Sequence, residues 1–221
     1  MNFYTSKTLS GVGALLVFVS FIAAPFAPSF GGSFIALIGL IIMLIGVKGL
    51  ADYYKEAGIF NNMLYGTIAG IVGIVVAVAI AIGIVINSLS SFLYKIFPGW
   101  NGDWTTLSGM TPNTSNLNFS DIVPFLTAAL AVFVVLFVFA IVVALLYRRS
   151  LSSLKDKSGT GLFGSTATVL LIGAVLTIIL IGYILIWIGI LMLAIAFFEL
   201  RPQPAETMPT AQATMPPPTT T

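Results

Sequence analysis

Residues 68–86 form a run of nineteen residues without a polar side chain. As an α-helix this run would be about 29 Å long, at roughly 1.5 Å per residue, and would match a bilayer hydrocarbon core of about 30 Å. A helix on the surface of a soluble domain needs a polar face, and this run has none. The run therefore predicts a helix that crosses a membrane.

The composition also indicates a membrane protein. Hydrophobic residues make up 58% of the 221 residues and charged residues only 7%, whereas ordinary soluble domains contain about 25% charged residues. The net charge of +2 is small and the basic residues are scattered, so nothing indicates nucleic-acid binding. The absence of cysteine and histidine excludes disulfides, thiolate chemistry and histidine-ligated metals. No cofactor is indicated.

Other apolar runs precede and follow this one. They are residues 9–24, 34–51 and 125–146, followed by a longer run at residues 166–200. In front of the run at 125–146, Asp121 is placed to cap the first amides of a helix. Pro124 is expected in the first turn of the same helix, where a missing N–H has no partner to lose.

The last apolar run is too long for one crossing. As a single helix, residues 166–200 would extend about 50 Å against a hydrocarbon core of about 30 Å. A fold at Ile181, Gly182 and Tyr183 gives two spans of about 25 Å, whose mismatch costs little. The sequence therefore predicts an all-α membrane protein with six transmembrane helices, the last two forming a tight hairpin, and five spans as the alternative. Residues 1–200 are expected to form one polytopic membrane domain.

The basic residues predict the orientation of the six spans. With the N-terminus inside, eight of the nine Lys and Arg residues fall on the cytoplasmic side, as the positive-inside rule requires, and only Lys95 falls outside. The eight are Lys7, Lys48, Lys55, Arg148, Arg149, Lys155, Lys157 and Arg201. We expect a multi-pass protein of the cell membrane with both termini in the cytoplasm.

Residues 87–121 are then expected to form an exterior loop. The loop contains NTS at Asn113 and NFS at Asn118, both acceptor patterns for N-glycosylation. The Pro/Thr-rich tail, residues 201–221, has almost nothing to bury and is predicted to be disordered. Tails of this composition often form glycosylated exterior stalks, which would suit five spans with the C-terminus outside.

A polar stretch, GLADYYKEAGIFNNMLYG at residues 49–66, connects the second and third spans. Lys48 and Asp52 are four residues apart and can form an ion pair at a solvated helix end. Gly58 is expected to cap that helix, and the stretch is interpreted as a cytoplasmic connection. In the alternative interpretation, Lys48 and Asp52 form an ion or proton site within the membrane, where ionisable residues usually serve a function.

Small residues recur four apart in the third span, as Gly66 with Gly70 and as Ala79 with Gly83. Such pairs let two helices approach closely. They are expected to pack the span against its own neighbours or against a second copy of the chain.

The strongest basic cluster is YRRSLSSLKDKSG at residues 147–159. Its cations can meet anionic lipid headgroups, while Leu151 and Leu154 can face lipid. The segment is interpreted as an interface anchor, with a cytoplasmic partner-binding site as the alternative.

Four segments carry a resemblance to a known family. They are KTLSGVGALL from Lys7, LIGL from Leu37, VKGLADYYKEAGIFNNMLYG from Val47 and AIAFFEL at the end of the last apolar run. Together they resemble the archaeal family of integral membrane proteins called domain of unknown function family 996, over most of residues 5–200. The resemblance implies a multi-span membrane protein of archaeal origin and carries over no catalytic residue.

An enzyme would need a nucleophile with a base, or two facing carboxylates, and the spans supply few candidates for either. We therefore expect a noncatalytic accessory or scaffold component in contact with membrane lipid, with a homo-oligomer or a membrane protein as partner. The alternative is a small-solute or ion transporter or channel. It would require the polar residues of the spans to converge on one cavity: Ser10, Ser20, Thr127, Thr177, Lys48 and Asp52.

Overall fold

The structure is a computed structural model that describes residues 1–23, 31–115, 117–179 and 181–202. Within these ranges the chain is all-α, as predicted, and six helices are long and apolar enough to cross a membrane. The helices are α1 (Phe3–Ala23), α2 (Gly31–Tyr53), α3 (Ala57–Ile96), α4 (Phe119–Ser158), α5 (Leu162–Leu176) and α6 (Ile181–Glu199). Nearly all of the predicted disordered tail, 201–221, lies outside the described residues.

The six helices form a ring in chain order. Each helix packs on the next, and α6 packs back on α1. α3 and α4 contain 40 residues each, which corresponds to about 60 Å at roughly 1.5 Å per residue. Because this is about twice the thickness of a hydrocarbon core, both helices extend well beyond the predicted spans at 68–86 and 125–146.

The buried core lies at one end of the six-helix bundle, and we call this end of the bundle the charged end. It contains the start of α1, the α2–α3 junction, the α4–α5 junction and the end of α6. Its largest fully buried side chains include Leu50, Ile59, Met63, Leu151, Leu154, Phe163, Phe197 and Leu200. All six helices contribute to this core, so it fixes their relative positions at that end.

The last turns of α4 belong to this core. Leu151 and Leu154 have no exposed surface, so the expectation that they face lipid is wrong. The cause is that α4 continues to Ser158 and packs on the first turn of α3, where the Ser150 hydroxyl donates to the Ile59 carbonyl at 2.5 Å.

α1 and α2 pack through direct backbone contact. A Cβ added at Gly13 would collide with the backbone of Met43, and one added at Gly46 would collide with the backbone and hydroxyl of Ser10. Apolar helices gain little hydrophobic energy from meeting one another in lipid, so close approach of this kind stabilises their packing by van der Waals contact. α2 therefore depends on glycine along its α1-facing side.

α5 and α6 form the predicted hairpin, but its turn lies earlier than expected. A short 3-10 segment at Thr177–Ile179 ends α5, and Gly182 lies inside α6. A Cβ at Gly182 would collide with the Gly173 carbonyl and the Thr177 amide. Gly182 therefore allows α5 and α6 to approach closely. The sequence had suggested that it belongs to the turn.

α4 begins earlier than predicted, at Phe119. Pro124 is consequently the sixth residue of α4, outside the first turn, and leaves the carbonyl of Ser120 without an intrahelical donor. Asp121 caps the helix start from within the first turn, because its carboxylate accepts a hydrogen bond from the backbone N–H of Asn118 at 2.8 Å. The same carboxylate forms an ion pair with Lys95 at 2.6 Å.

Replacing Gly182 by alanine tests the α5–α6 contact. We expect Gly182→Ala to destabilise the protein by about 2 kcal/mol, because the new methyl group must displace backbone. Unfolding in mixed micelles, followed by circular dichroism, measures the change.

Gly70→Ala is the matched control for that substitution. A Cβ at Gly70 would lie 3.6 Å from Val143, an ordinary contact, and alanine favours a helix by about 0.5–1 kcal/mol over glycine. If both variants lose the same stability, the close approach of α5 and α6 is not what Gly182 provides.

Candidate functional site

The polar stretch at residues 49–66 is almost entirely helical. α2 ends at Tyr53 and α3 begins at Ala57, so three residues connect them. Lys55 adopts a left-handed backbone with φ 52°, and the Glu56 amide donates to the Ala51 carbonyl at 3.0 Å. Lys55 therefore ends α2, and the prediction that Gly58 would do so is wrong, because Gly58 lies inside α3.

Lys48 and Asp52 are brought together on the last turns of α2. Their charged atoms are 2.6 Å apart, and the two side chains are 54% and 62% exposed. The Lys48 ammonium also lies 5.7 Å from the centre of the Phe60 ring on α3. An exposed pair of this kind adds little stability, at most about 1 kcal/mol. Its charges are therefore accessible for binding.

A depression of about 280 Å³ opens beside this pair. Its charged and polar lining comes from Lys48, Asp52, Lys55, Glu56 and Asn61. Glu56 also lies 3.7 Å from Lys157, which links the junction to α4. Two ammonium and two carboxylate groups line the opening, so the depression can hold a polar segment that carries both signs of charge.

A second depression, of about 500 Å³, lies at the α4–α5 junction. Its lining includes Ser158, Thr160, Glu199 and Arg201. Nearby, the Lys7 ammonium donates to the Leu200 carbonyl at 2.7 Å and so caps the C-terminal end of α6. Both depressions therefore lie at the charged end, and charged side chains contribute to each.

The hydroxyl groups of the predicted spans do not converge. Ser10, Ser20 and Thr177 are buried, whereas Thr127 is exposed. Each hydroxyl donates to a carbonyl of its own helix: Ser10 to Ser6, Ser20 to Val17, Thr127 to Val123 and Thr177 to Gly173. Among the described residues no hydrogen bond joins any two of these four groups, or joins one of them to Lys48 or Asp52. In the described part of the chain, each hydroxyl is therefore satisfied by its own helix and not by another of the four.

The small residues of α3 divide into two sets. Gly66 and Gly70 face α4, where a Cβ would meet the Tyr147 ring and Val143 respectively. Ala79 and Gly83 are exposed, and in the described part of the chain a Cβ at Gly83 meets no atom within 4 Å. The first pair packs α3 against α4, whereas the second lies on an exposed face of α3.

The connection between α3 and α4 is shorter than residues 87–121, because α3 continues to Ile96, directly before Phe97 and Pro98, and α4 begins at Phe119. Asn113 and Asn118 are exposed, and the Asn113 amide donates to the Ile96 carbonyl at 2.7 Å. Trp100 is buried against Tyr94 at 5.0 Å. Hydrogen bonds from Thr105 lower the pKa of Asp103. The connection therefore has its own local structure.

Tyr54 is a buried polar group of the charged end. Its side chain is 5% exposed, and within the described ranges its hydroxyl has no hydrogen-bond partner. Burial raises the pKa of Tyr54 to about 12, and the neighbouring Tyr53 adds to the shift. The ring is held by Phe3 and Tyr53, at 6.4 and 5.0 Å.

The comparisons with known proteins assign a family. Residues 35–191 match the family described as protein of unknown function DUF996. The chain belongs to this family. No curated protein and no solved structure matches the chain. In the described residues, no group of three acidic side chains is placed to hold a metal ion. The DUF996 region covers the α2–α3 junction and both forty-residue helices.

Several contacts of the charged end escaped the sequence analysis. The Lys7–Leu200 and Lys157–Glu56 contacts join residues far apart in the chain, so no local spacing indicates them. The sequence does contain an indication of the α1–α2 contact. Glycine recurs on α2 at Gly39, Gly46 and Gly49, at intervals of seven and three residues. That spacing places all three on one face of the helix.

Substitution of Lys55 tests how α2 ends. We expect Lys55→Gly to stabilise the protein by about 1 kcal/mol, because glycine adopts a left-handed backbone without steric cost. Lys55→Ala removes the same charge but retains the strain, so it should give no such gain. Equal midpoints for the two variants in thermal unfolding would contradict this account of the junction.

Replacing Tyr54 by phenylalanine tests the cost of its unpartnered hydroxyl. Below pH 10 we expect a gain of about 1 kcal/mol, since a buried hydroxyl without a partner costs about 1–3 kcal/mol. The raised pKa means that folded Tyr54 retains its proton while the unfolded chain loses it. Wild type should therefore lose stability between the ordinary value of 10.0 and about 12.

Unfolding curves at increasing pH for wild type and Tyr54→Phe measure this difference. The difference in free energy of unfolding between Tyr54→Phe and wild type should increase, in favour of Tyr54→Phe, as the pH rises. Tyr53→Phe is the control, because Tyr53 is 38% exposed. If this difference in free energy of unfolding stays constant with pH, burial does not raise the pKa of Tyr54.

Proposed function

We propose that this DUF996 protein is a noncatalytic, multi-pass membrane component, an accessory or scaffold subunit that binds a membrane protein partner through its charged end. One observation carries the proposal: the placement of the polar side chains. The four span hydroxyls are satisfied by their own helices, whereas the Lys48–Asp52 depression and eight of the nine basic residues lie at one end. This arrangement suits surface recognition better than passage of a solute.

The location of the protein belongs to the same proposal. The charged end would face the cytoplasm, because basic residues are retained on that side of the cell membrane. Phe3 and Leu200 share the core of this end, which supports an even number of crossings with both ends of the described chain inside. The resemblance noted in the sequence supports an archaeal origin.

A transporter of small solutes or ions is the second candidate. The depression beside Lys48 and Asp52 favours it, since accessible ionisable groups commonly mark the path of a solute or ion. The same path would also have to cross the helices, where Ser10, Thr127 and Thr177 bond to their own helices. The partner-binding function therefore has more support.

A charge exchange at residues 48 and 52 tests the proposed function. The double variant Lys48→Asp with Asp52→Lys retains an i,i+4 ion pair and the net charge but reverses the field that a partner meets. We expect tagged wild type, purified from native membranes in mild detergent, to retain a partner in near-equal amount. The exchanged variant should lose it, because like charges then oppose each other across the contact. Quantitative mass spectrometry measures the retention.

Purification of the protein alone, or as a homo-oligomer only, would contradict binding of a different partner. Equal retention by both variants would show that the partner binds elsewhere on the chain. A solute flux in proteoliposomes that Lys48→Met abolishes would instead favour the transporter. Circular dichroism of the exchanged variant checks that it folds.

A further inference from the structure

Exposed apolar side chains follow one another along α4 at intervals of three or four residues. They are Leu126, Leu130, Val134, Val138, Val142 and Leu145, each at least 40% exposed. The stripe ends at Arg149, four residues after Leu145, and Arg148 adjoins it. Both arginines are exposed. An apolar stripe of this length on a membrane helix is covered by lipid chains, so its end marks the level of the headgroups.

The exposed apolar surface of α3 ends at the same level. Gly66 packs on the Tyr147 ring, which places Tyr65 at the level of Arg148 along the helix pair. Tyr65 is 59% exposed, and the exposed residues Ile68 and Ile71 follow it toward the middle of α3. Aromatic side chains that are apolar at the base and polar at the tip are typical of this boundary.

The two arginines have no counter-charge within the described residues. No ion pair or side-chain hydrogen bond involves Arg148 or Arg149, whereas Lys48 is paired with Asp52 and Lys157 with Glu56. Asp156, the nearest acidic residue along α4, lies seven residues beyond Arg149, about 10 Å along the axis. Two adjacent guanidinium groups therefore face outward where an apolar surface ends.

We propose that Arg148 and Arg149, with Tyr65 at the same level on α3, bind the headgroup phosphate of an anionic phospholipid whose chains lie along the α4 stripe. A guanidinium group matches phosphate oxygens in a bidentate geometry, and Tyr65 can donate a hydrogen bond to the same headgroup. The stripe holds the chains of the same molecule. This site does not depend on the proposed partner, because it faces lipid and does not include the depression beside Lys48.

Lipid retention by the full-length protein tests the site. The protein is reconstituted in nanodiscs of equimolar phosphatidylglycerol and phosphatidylcholine, extracted gently, and its bound lipids are counted by native mass spectrometry. We expect wild type to prefer phosphatidylglycerol and Arg148→Gln/Arg149→Gln to lose about tenfold in that preference, since each cation near a membrane surface contributes measurably to binding. Arg148→Lys/Arg149→Lys should retain part of it, because the charge remains.

Two controls separate this site from general attraction. Lys155→Gln/Lys157→Gln removes the same charge two turns further along α4 and should leave the preference nearly intact; an equal loss would overturn a local site. Inorganic phosphate, compared with chloride at the same ionic strength, should not displace the lipid, because it lacks chains. Displacement by phosphate would show a free-anion site and overturn the assignment to lipid. An unchanged preference in the glutamine variant would also overturn the proposal.

Discussion

The structure depends on how apolar helices pack where hydrophobic burial gives them little reason to meet. Lipid chains are as apolar as leucine, so helices in a bilayer associate through close contact and hydrogen bonds. Here glycines supply that contact, between α1 and α2 at Gly13 and Gly46 and between α5 and α6 at Gly182. At the charged end, burial of large side chains such as Phe163 and Phe197 adds its own stabilisation.

This division explains where binding chemistry can lie. Polar side chains within an apolar run must satisfy themselves locally, and Ser10 and Thr127 do so through the backbone of their own helices. Charged side chains are tolerated where they reach water. Most of them gather at the charged end, around the Lys48 depression and the Arg148–Arg149 pair, and the Lys95–Asp121 pair lies at the opposite end. The partner surface and the lipid site proposed above can therefore occupy one end of the bundle without sharing residues.

The sequence was sufficient for the helix count and the hairpin, because length and hydropathy decide both. It failed where tertiary contacts decide. Gly182 resembles a turn residue but serves the contact with Gly173, and Lys55 occupies a left-handed position at which glycine is normally expected. Leu151 was expected to face lipid because its segment is basic, yet the α3–α4 packing buries it. Local sequence patterns do not show which distant segment of the chain packs against a given residue.

The limits of the family match also have a structural meaning. α1 and the last turns of α6 lie outside residues 35–191, and they contact each other. Lys7 caps Leu200 and the Phe198 ring covers Gly11. Phe18 also stacks at 4.8 Å on Trp187, an α6 residue inside the matched region. Without α1, the glycine face of α2 at Gly46 would have no backbone against it. Closure of the ring therefore depends on a helix outside the matched region, whereas the Lys48 depression and the arginine pair lie within it.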